Sequence, residues 1–469
     1  MRIDWKTEAI LFLGAVIIRL VFYSFTGFTA DDAFITFRYA ENVLAGKGFV
    51  YNPGDHVLGT STPLFTLLLS TLCILPGSMQ NWALLVSLIA SGITAVVLFR
   101  FAQSLRFAHL ALLPSILYIC WPRSLPADTS GMETALFTLL ITAALYVQHK
   151  QQTHWAIGLA TLATLTRTEG ALLLIVLILV NAYQNRTQIV SLIAIPLFLL
   201  LPWFLFAWFY FGSPIPHSIP AKLALYAHFG SASWYTNLFE LLWLNTIFGW
   251  LLLFASTFGL RWLLRTQNTG RLMAAWLCIF ILFFTFSSTH LFFWYVAPLY
   301  PIYLLLASAA IPYFANYYNF LPTTQKKMAF GISAVSLILL IIAAYFPAIS
   351  YRSQAETLSQ QHMLIGHYLR THAKETDIVA AEDIGYIGYI SKLRIIDRDG
   401  LVSPEVVPYN RVADYKGVIT SFTPDWVVAA NNSPISGFIT DIDFIDRYQL
   451  VERFETHSSN AYLLYSRKK

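Results

Sequence analysis

FTADDAFITFRYAENVLAGKGFVYNPGDHVLGTSTPLFTLLL, residues 28–69, decides how the rest of this chain is understood. Two adjacent carboxylates, Asp31 and Asp32, follow the first hydrophobic segment directly, and a long polar, aromatic and turn-forming run follows them. Thr29 or Asp31 can cap a helix over AFITFRYAENVLAG, with Gly46 at its end. One cap satisfies one helix start, so a second adjacent carboxylate calls for a partner. General-base activation of a hydroxyl suits such a pair, with the neighbour orienting the acceptor or holding a cation. Acids at a membrane interface are functional by default.

Outward from that loop the chain is apolar: 57% of its residues are hydrophobic and 12% charged, against roughly 25% charged in soluble proteins. The charge is uneven. Residues 1–351 carry 17 Lys+Arg and 10 Asp+Glu, and residues 352–469 carry 13 and 15. That contrast separates a transmembrane body, 1–351, from a water-soluble domain, 352–469. Residues 9–26 run apolar for about one membrane span. Arg19 within the run, and the lack of a convincing cleavage site after it, favour a retained first helix over a signal peptide. Further spans are expected at 82–100, 109–121, 133–148, 154–167, 169–183, 188–211, 238–264, 271–289, 292–313 and 328–347, about eleven in all. The stretch 63–76, between Pro63 and Pro76, suits an interfacial or re-entrant helix.

The bases orient this body. With the N-terminus cytoplasmic, Arg2, Lys6, Arg100, Arg106, Lys150, Arg186, Arg261, Arg265, Arg271, Lys326 and Lys327 fall on inner loops. Only Arg38, Lys47, Arg123, Arg167 and Lys222 fall outside, which the positive-inside rule favours. Asp31, Asp32, Glu41, Asp55, Asp128, Glu133, Glu169 and Glu240 then lie on or near the outer face, and so does the C-terminal domain. In that domain, 354–372 has helical spacing. DIVAAED, LRIID, DWVVAA, QLVERFE and AYLLYSR read as short strands between turns. The fold class expected is an α-helical polytopic membrane protein with a C-terminal extracytoplasmic mixed α/β domain.

Other chemistry-bearing residues each have a plain structural alternative. Arg19 can snorkel to headgroups, pair with the loop acids or meet a lipid phosphate. Arg167 and Glu169, in the turn TRTEG, can form a hairpin salt bridge, and Glu133 can serve a helix start. The long outer loop 212–237 carries His217 and Lys222, and Lys222 can bind a phosphate or snorkel. His290, Trp294 and Tyr295 mark another outer turn, where an aromatic belt and sugar stacking look alike. Cys73, Cys120 and Cys278 have neither metal-ligand spacing nor a disulfide framework. The scattered bases form no stripe for nucleic acid, and no Gly-rich loop suggests a nucleotide donor.

Taken in order, five stretches carry a resemblance. They are DDAFITFRYAENVLAGKGFVYNPGDHVLGTSTPLF, SGMETALFTLL, LTRTEGALLL, FGSPIPHSIPAK and AAEDIGYIGYISKLRIIDRDGLVSPE. Through most of its length the chain resembles the GT-C class of membrane glycosyltransferases, in the branch of the arabinofuranosyltransferases. The resemblance implies a polyprenyl-phosphate sugar as donor, lying under the first outer loop with its lipid tail in the bilayer. It implies Asp31 as the acceptor-activating base and Asp32 as its support. The implied product is a glycosylated glycan, lipid or protein of the cell envelope, formed with inversion at the outer face of the cytoplasmic membrane. Arg19, Arg167 and Lys222 are the candidate donor-phosphate cations. Arg38, His56, Glu133, Glu169, His217, His290, Trp294 and Tyr295 are candidate substrate contacts. No cofactor is certain; a divalent cation is a candidate at the carboxylate pair, without a full ligand set. The chain departs from its relatives at His56, where arginine is common, at Leu58, where glutamate is common, and at His217, where asparagine is usual. A flippase of lipid-linked sugars and a non-catalytic partner subunit are the alternatives. A flippase would place polar residues on both leaflets and break helices at mid-membrane, whereas the acids here gather on one side.

Overall fold

The computed structural model describes residues 4–107, 110–185, 187, 189–229, 233–287, 290–317, 322–455 and 461–468. Arg2 and Arg186, two of the bases used for orientation, lie outside the described residues. The chain divides into two units. One comprises residues 1–28, 83–202 and 232–351, and the other 29–82, 203–231 and 352–469.

The first unit is helical. Among the described residues, five helices are long and apolar enough to cross a membrane: Trp5–Thr26, Met79–Ser104, Ile189–Phe211, Ile247–Thr266 and Phe293–Phe314. Other expected spans form shorter helices, Thr134–His149, Thr153–Thr166, Gly170–Gln184 and Thr269–Thr285. The expected span 238–264 is two helices, Trp234–Leu242 and Ile247–Thr266. Trp243 turns left-handed at the break, and Thr246 accepts a hydrogen bond from the Gly249 amide to start the second helix. Thr153–Thr166 and Gly170–Gln184 form the expected hairpin, turning at Arg167–Glu169. Trp276, Tyr118, Phe137 and Phe101 lie fully buried in the core of this unit. Ser256 Oγ donates to the Tyr303 carbonyl at 3.0 Å, a small-residue polar tie of the kind that joins helices in an apolar solvent.

The second unit is built on a five-stranded mixed sheet ordered β2-β1-β3-β5-β4. The strands are β1 Ile378–Ala381, β2 Arg394–Asp397, β3 Trp426–Ala430, β4 Tyr448–Glu455 and β5 Ala461–Arg467. All five expected strands form. β2, β1 and β3 run parallel, and β5 and β4 complete the sheet antiparallel. β1 is apolar and nearly all buried, as a central parallel strand should be. β4 alternates less strictly, carries mostly exposed residues and bulges between Leu450 and Glu452.

The first outer loop belongs to this second unit, not to the membrane body to which the sequence assigned it. The reason is a shared core and a set of buried polar ties. Tyr39, Phe49, Tyr51 and Leu58 from the loop bury with Ile365, Val379, Ile387 and Ile395. The loop's own helix runs Asp31–Leu44 and its second helix Pro63–Leu72. Arg38, 3% exposed, donates to the carbonyls of Tyr51 at 2.9 Å, Gly388 at 2.8 Å and Leu393 at 2.6 Å. The Asn52 side-chain amide both donates to the Ile395 carbonyl, at 2.9 Å, and accepts from its N–H, at 3.0 Å. At the open edge of β2 it pairs with Ile395 as a residue of a neighbouring strand would.

Arg38, expected to touch substrate, is thus a structural clamp. Replacing it by methionine leaves at least three buried carbonyls without their donor, at about 1–3 kcal/mol each. Arg38→Met is expected to expose the helix Gly385–Ser391 to hydrogen exchange and to lower the unfolding temperature of the whole protein. Unchanged exchange there would remove the clamp role.

Candidate functional site

The helix Asp31–Leu44 starts without a side-chain cap: Ala30 is its N-cap residue, and Asp31 and Asp32 occupy its first turn. Asp31 is free of that duty because its carboxylate caps a different helix. Oδ2 accepts the Gly385 N–H at 2.8 Å, and Oδ1 accepts the Tyr386 N–H at 2.9 Å. These are the first two amides of Gly385–Ser391, donors that a helix start leaves without an intrahelical partner. The approach depends on glycine. A Cβ at Gly385 would collide with the Asp31 carbonyl, and one at Gly388 with the Tyr51 hydroxyl.

A third donor reaches Asp31. His362 Nδ1 lies 3.3 Å from Oδ1, and His362 Nε2 lies 3.9 Å from Asp383 Oδ2. His362 is 4% exposed and sits in a π-helical turn, Ser359–Met363, between the long helix Pro322–Leu358 and Leu364–His372. Such single π turns occur disproportionately at functional sites. The Tyr462 hydroxyl donates to Asp383, and its ring meets the imidazole edge-on at 4.7 Å. Glu382, beside Asp383, accepts from the Ala430 N–H at 3.1 Å and the Ser433 hydroxyl at 2.5 Å.

These contacts set the charges. Burial pushes Asp31 up, but the hydrogen bond and charge of His362 and the two amides outweigh it, so its carboxyl stays below the ordinary range. Burial pulls His362 down, and the bond to Asp31 with the charges of Asp383, Asp31 and Glu382 more than offsets it, so the imidazole is raised. Asp383 is pushed up to about 6 by desolvation, against the pull of His362, with Asp31 and Glu382 adding to the rise. The cluster thus sets a carboxylate biased towards its ionised form beside an imidazole biased towards its charged form, with a second, weaker acid. Three of about four lone-pair positions on Asp31 are taken by these donors, which among the described residues leaves one on Oδ2 for a hydroxyl. Among the described residues no three His, Cys, Asp or Glu side chains converge as a metal site.

The other expected site residues fall in two places. In the second unit, Asp32 is half-buried beside Asp31. His56 stacks on Tyr210 at 4.1 Å, Leu58 is buried in the core, and the His217 amide donates to the Leu58 carbonyl at 2.7 Å. Lys222 is half-buried on the helix Ser218–Phe229, which occupies much of the expected long loop. In the first unit, Arg19 meets Asp128 at 2.7 Å, not the loop acids, and both are buried. Its remaining donors reach the Ala15 and Ile119 carbonyls and Ser124. Arg167 is held by Glu133 at 2.7 Å and Glu169 at 3.0 Å, with Tyr295 4.9 Å beneath the guanidinium. Arg19 and Arg167, expected on the donor phosphate, are therefore matched to carboxylates, and Glu133 and Glu169 to Arg167. Trp294 is buried and stacks on Phe292, and His290 is exposed. The sequence did not single out His362, Asp383 or Tyr462. The only signals were a histidine within a helical segment and an acid pair between a strand and a Gly-x-x-Gly helix.

Arg167→Met is expected to destabilise the protein by about 3–5 kcal/mol, because Glu133 stays buried without its partner. Adding Glu133→Gln should recover much of that loss in thermal unfolding. Simple additivity of the two would mean that the pair does not interact.

Three comparisons bear on the fold. Residues 348–465 match a family described as a domain of unknown function (DUF8728). Over 217 residues the chain is 27% identical to the terminal beta-(1->2)-arabinofuranosyltransferase of Mycobacterium tuberculosis, covering 41% of this chain and 34% of that protein. The match thus spans about a third of the curated relative. Among solved structures, ArnT from Cupriavidus metallidurans bound to undecaprenyl phosphate has a TM-score of 0.63 at 13% identity, over 97% of each chain. The oligosaccharyltransferase AglB from Archaeoglobus fulgidus, with an inhibitory peptide and a dolichol-phosphate, has a TM-score of 0.56 at 12% identity, over 91% of this chain and 70% of that one. The chain is accordingly a multi-pass membrane protein with the GT-C fold and a C-terminal mixed sheet.

Proposed function

We propose that this protein is a glycosyltransferase that moves a sugar from a polyprenyl-phosphate donor to a hydroxyl of a cell-envelope glycan, lipid or protein. The observation that carries the proposal is the Asp31 carboxylate, held ionised by two amides and a histidine at the start of the first-loop helix. It is set in a fold whose solved neighbours were determined with undecaprenyl phosphate and a dolichol-phosphate. The partial likeness to an arabinofuranosyltransferase makes a pentofuranosyl donor the first to test.

In this mechanism the open lone pair of Asp31 receives the acceptor O–H and aligns its oxygen on the anomeric carbon. As the C–O bond forms, the bond to the lipid phosphate breaks, and the hydroxyl proton passes to the carboxylate pair, with Asp32 supporting Asp31. A single displacement of this type inverts the anomeric centre, as base-assisted attack does in inverting glycosidases. Chemistry at a lipid-phosphate donor suits the outer face of the cytoplasmic membrane, with the N-terminus inside and the C-terminal lobe outside. The distribution of lysine and arginine favours that topology.

Asp31→Asn is expected to cut transfer from a polyprenyl-phosphate sugar by roughly 10²–10⁴-fold, the usual worth of a positioned acid–base group, in protein that still inserts and folds. Undiminished transfer would overturn the assignment. A C-terminal tag should react with an impermeant reagent on intact cells, and labelling only after permeabilisation would reverse the topology.

A further inference from the structure

Asp31 needs little more than the two amides of Gly385 and Tyr386 if its only task is to cap a helix. His362 adds a cationic partner at a cost. Imidazole is buried to 4% exposure on a π-helical turn, and a buried charge is tolerated only when it is paired. Its two nitrogens face two different carboxylates, Asp31 on one side and Asp383 on the other. Around it the first loop brings Asp31, the segment after β1 brings Glu382 and Asp383, and β5 brings Tyr462. β4 meets the same turn through the Phe454 carbonyl, which accepts from Gln361. The Gly385 helix adds the two amides bound to Asp31. Acids therefore surround His362, with the Arg398 guanidinium bearing on Glu382 and Asp383 from the end of β2, and Asp31 is the one among the acids that also touches the helix start.

We propose that His362 is the positioning residue of the transfer site: an imidazolium that holds Asp31 ionised and in place, so that the C-terminal lobe sets the pH range in which the site works. The inference rests on the assignment of Asp31 as the reacting carboxylate. His362 acts through Asp31 and does not itself touch the sugar.

The pH signs follow from the directions of the shifts. Asp31 is lowered from 3.8, so its contribution to stability is present above that value and is lost as pH falls below it. His362 is raised from 6.5, so its contribution is complete below 6.5 and is lost as pH rises through its raised value. Asp383, pushed up to about 6, works the opposite way to Asp31, favouring the folded state most where it is protonated. The ion pair is therefore complete in mildly acidic solution.

The test uses the full-length protein in lipid nanodiscs, with His362→Gln to keep a hydrogen bond without charge and His362→Lys to keep a charge. Transfer is followed across pH with a short polyprenyl-phosphate arabinofuranose as donor and an alkyl arabinoside as acceptor. His362→Gln should lose roughly tenfold more activity at pH 5 than at pH 8, since Asp31 then has no cation to keep it ionised. His362→Lys should recover part of the loss at pH 5. An equal loss at every pH would reduce His362 to a structural histidine and overturn the proposal. A second measurement needs no donor: the gap in unfolding temperature between the native protein and His362→Gln, read from pH 5 to 9. It should close as pH rises above 6.5, and a gap independent of pH overturns the proposal. If the native protein transfers no sugar, the glycosyltransferase assignment fails, and the unfolding gap still decides the role of His362.

Discussion

The Asp31 carboxylate bridging to the Gly385 helix is the constraint on which the second unit depends. It joins residues 354 positions apart in sequence, and everything around it is arranged to make the approach possible. Gly385 and Gly388 clear space for the loop backbone and for Tyr51, and Arg38 then closes the gap by donating to carbonyls on both sides. The arrangement resembles an ordinary N-cap in its chemistry, but the cap comes from another segment. Loop and lobe therefore order each other. The loop's apolar side chains lack a core until the strands form, and β2 lacks an edge partner until Asn52 reaches it.

The helical body handles charge differently. Arg19 with Asp128, and Arg167 between Glu133 and Glu169, are closed arrangements in an apolar surrounding, each cation with a carboxylate at hydrogen-bond distance. Removing either member leaves an uncompensated buried charge, so such sets persist even where their net contribution to stability is small. In this structure Arg19 and Arg167 thus act as struts between helical segments, both held by carboxylates.

Much of the fold was legible because its signals are local. The strands announced themselves through short β-branched runs between turns, and the lobe boundary near residue 352 through the change in charge density. The number and limits of the spans were less legible, because apolar composition does not reveal where a helix stops. Trp243 and Thr246 divide one long apolar run through backbone conformation. At the site, the Asp pair was legible as polarity out of place, while Arg38 and His362 were misjudged or missed for one reason. A buried arginine clamp and a substrate arginine have the same sequence context, and a helical histidine shows its partner only when residues 331 apart meet.

Charge balance explains why a histidine belongs at this position. Asp31, Glu382 and Asp383 gather negative charge around one small volume; Arg398 bears on Glu382 and Asp383, and the clamp Arg38 is committed to neutral carbonyls, which leaves His362 as the cation bonded to Asp31. A donor carrying a phosphate would add to that charge. An arginine in place of His362 would be charged at every pH and would fix the carboxylates permanently. An imidazole beside one strong and one weak acid can instead carry the charge while Asp31 must be anionic and yield it when the proton balance changes. The acid pushed up to about 6 next to it matters for the same reason. Asp383 can release or take up a proton around pH 6, while Asp31 remains the ionised partner. Strong and weak acid on opposite nitrogens of one imidazole let the cluster change its charge without disturbing the hydrogen bonds that hold the first loop in place.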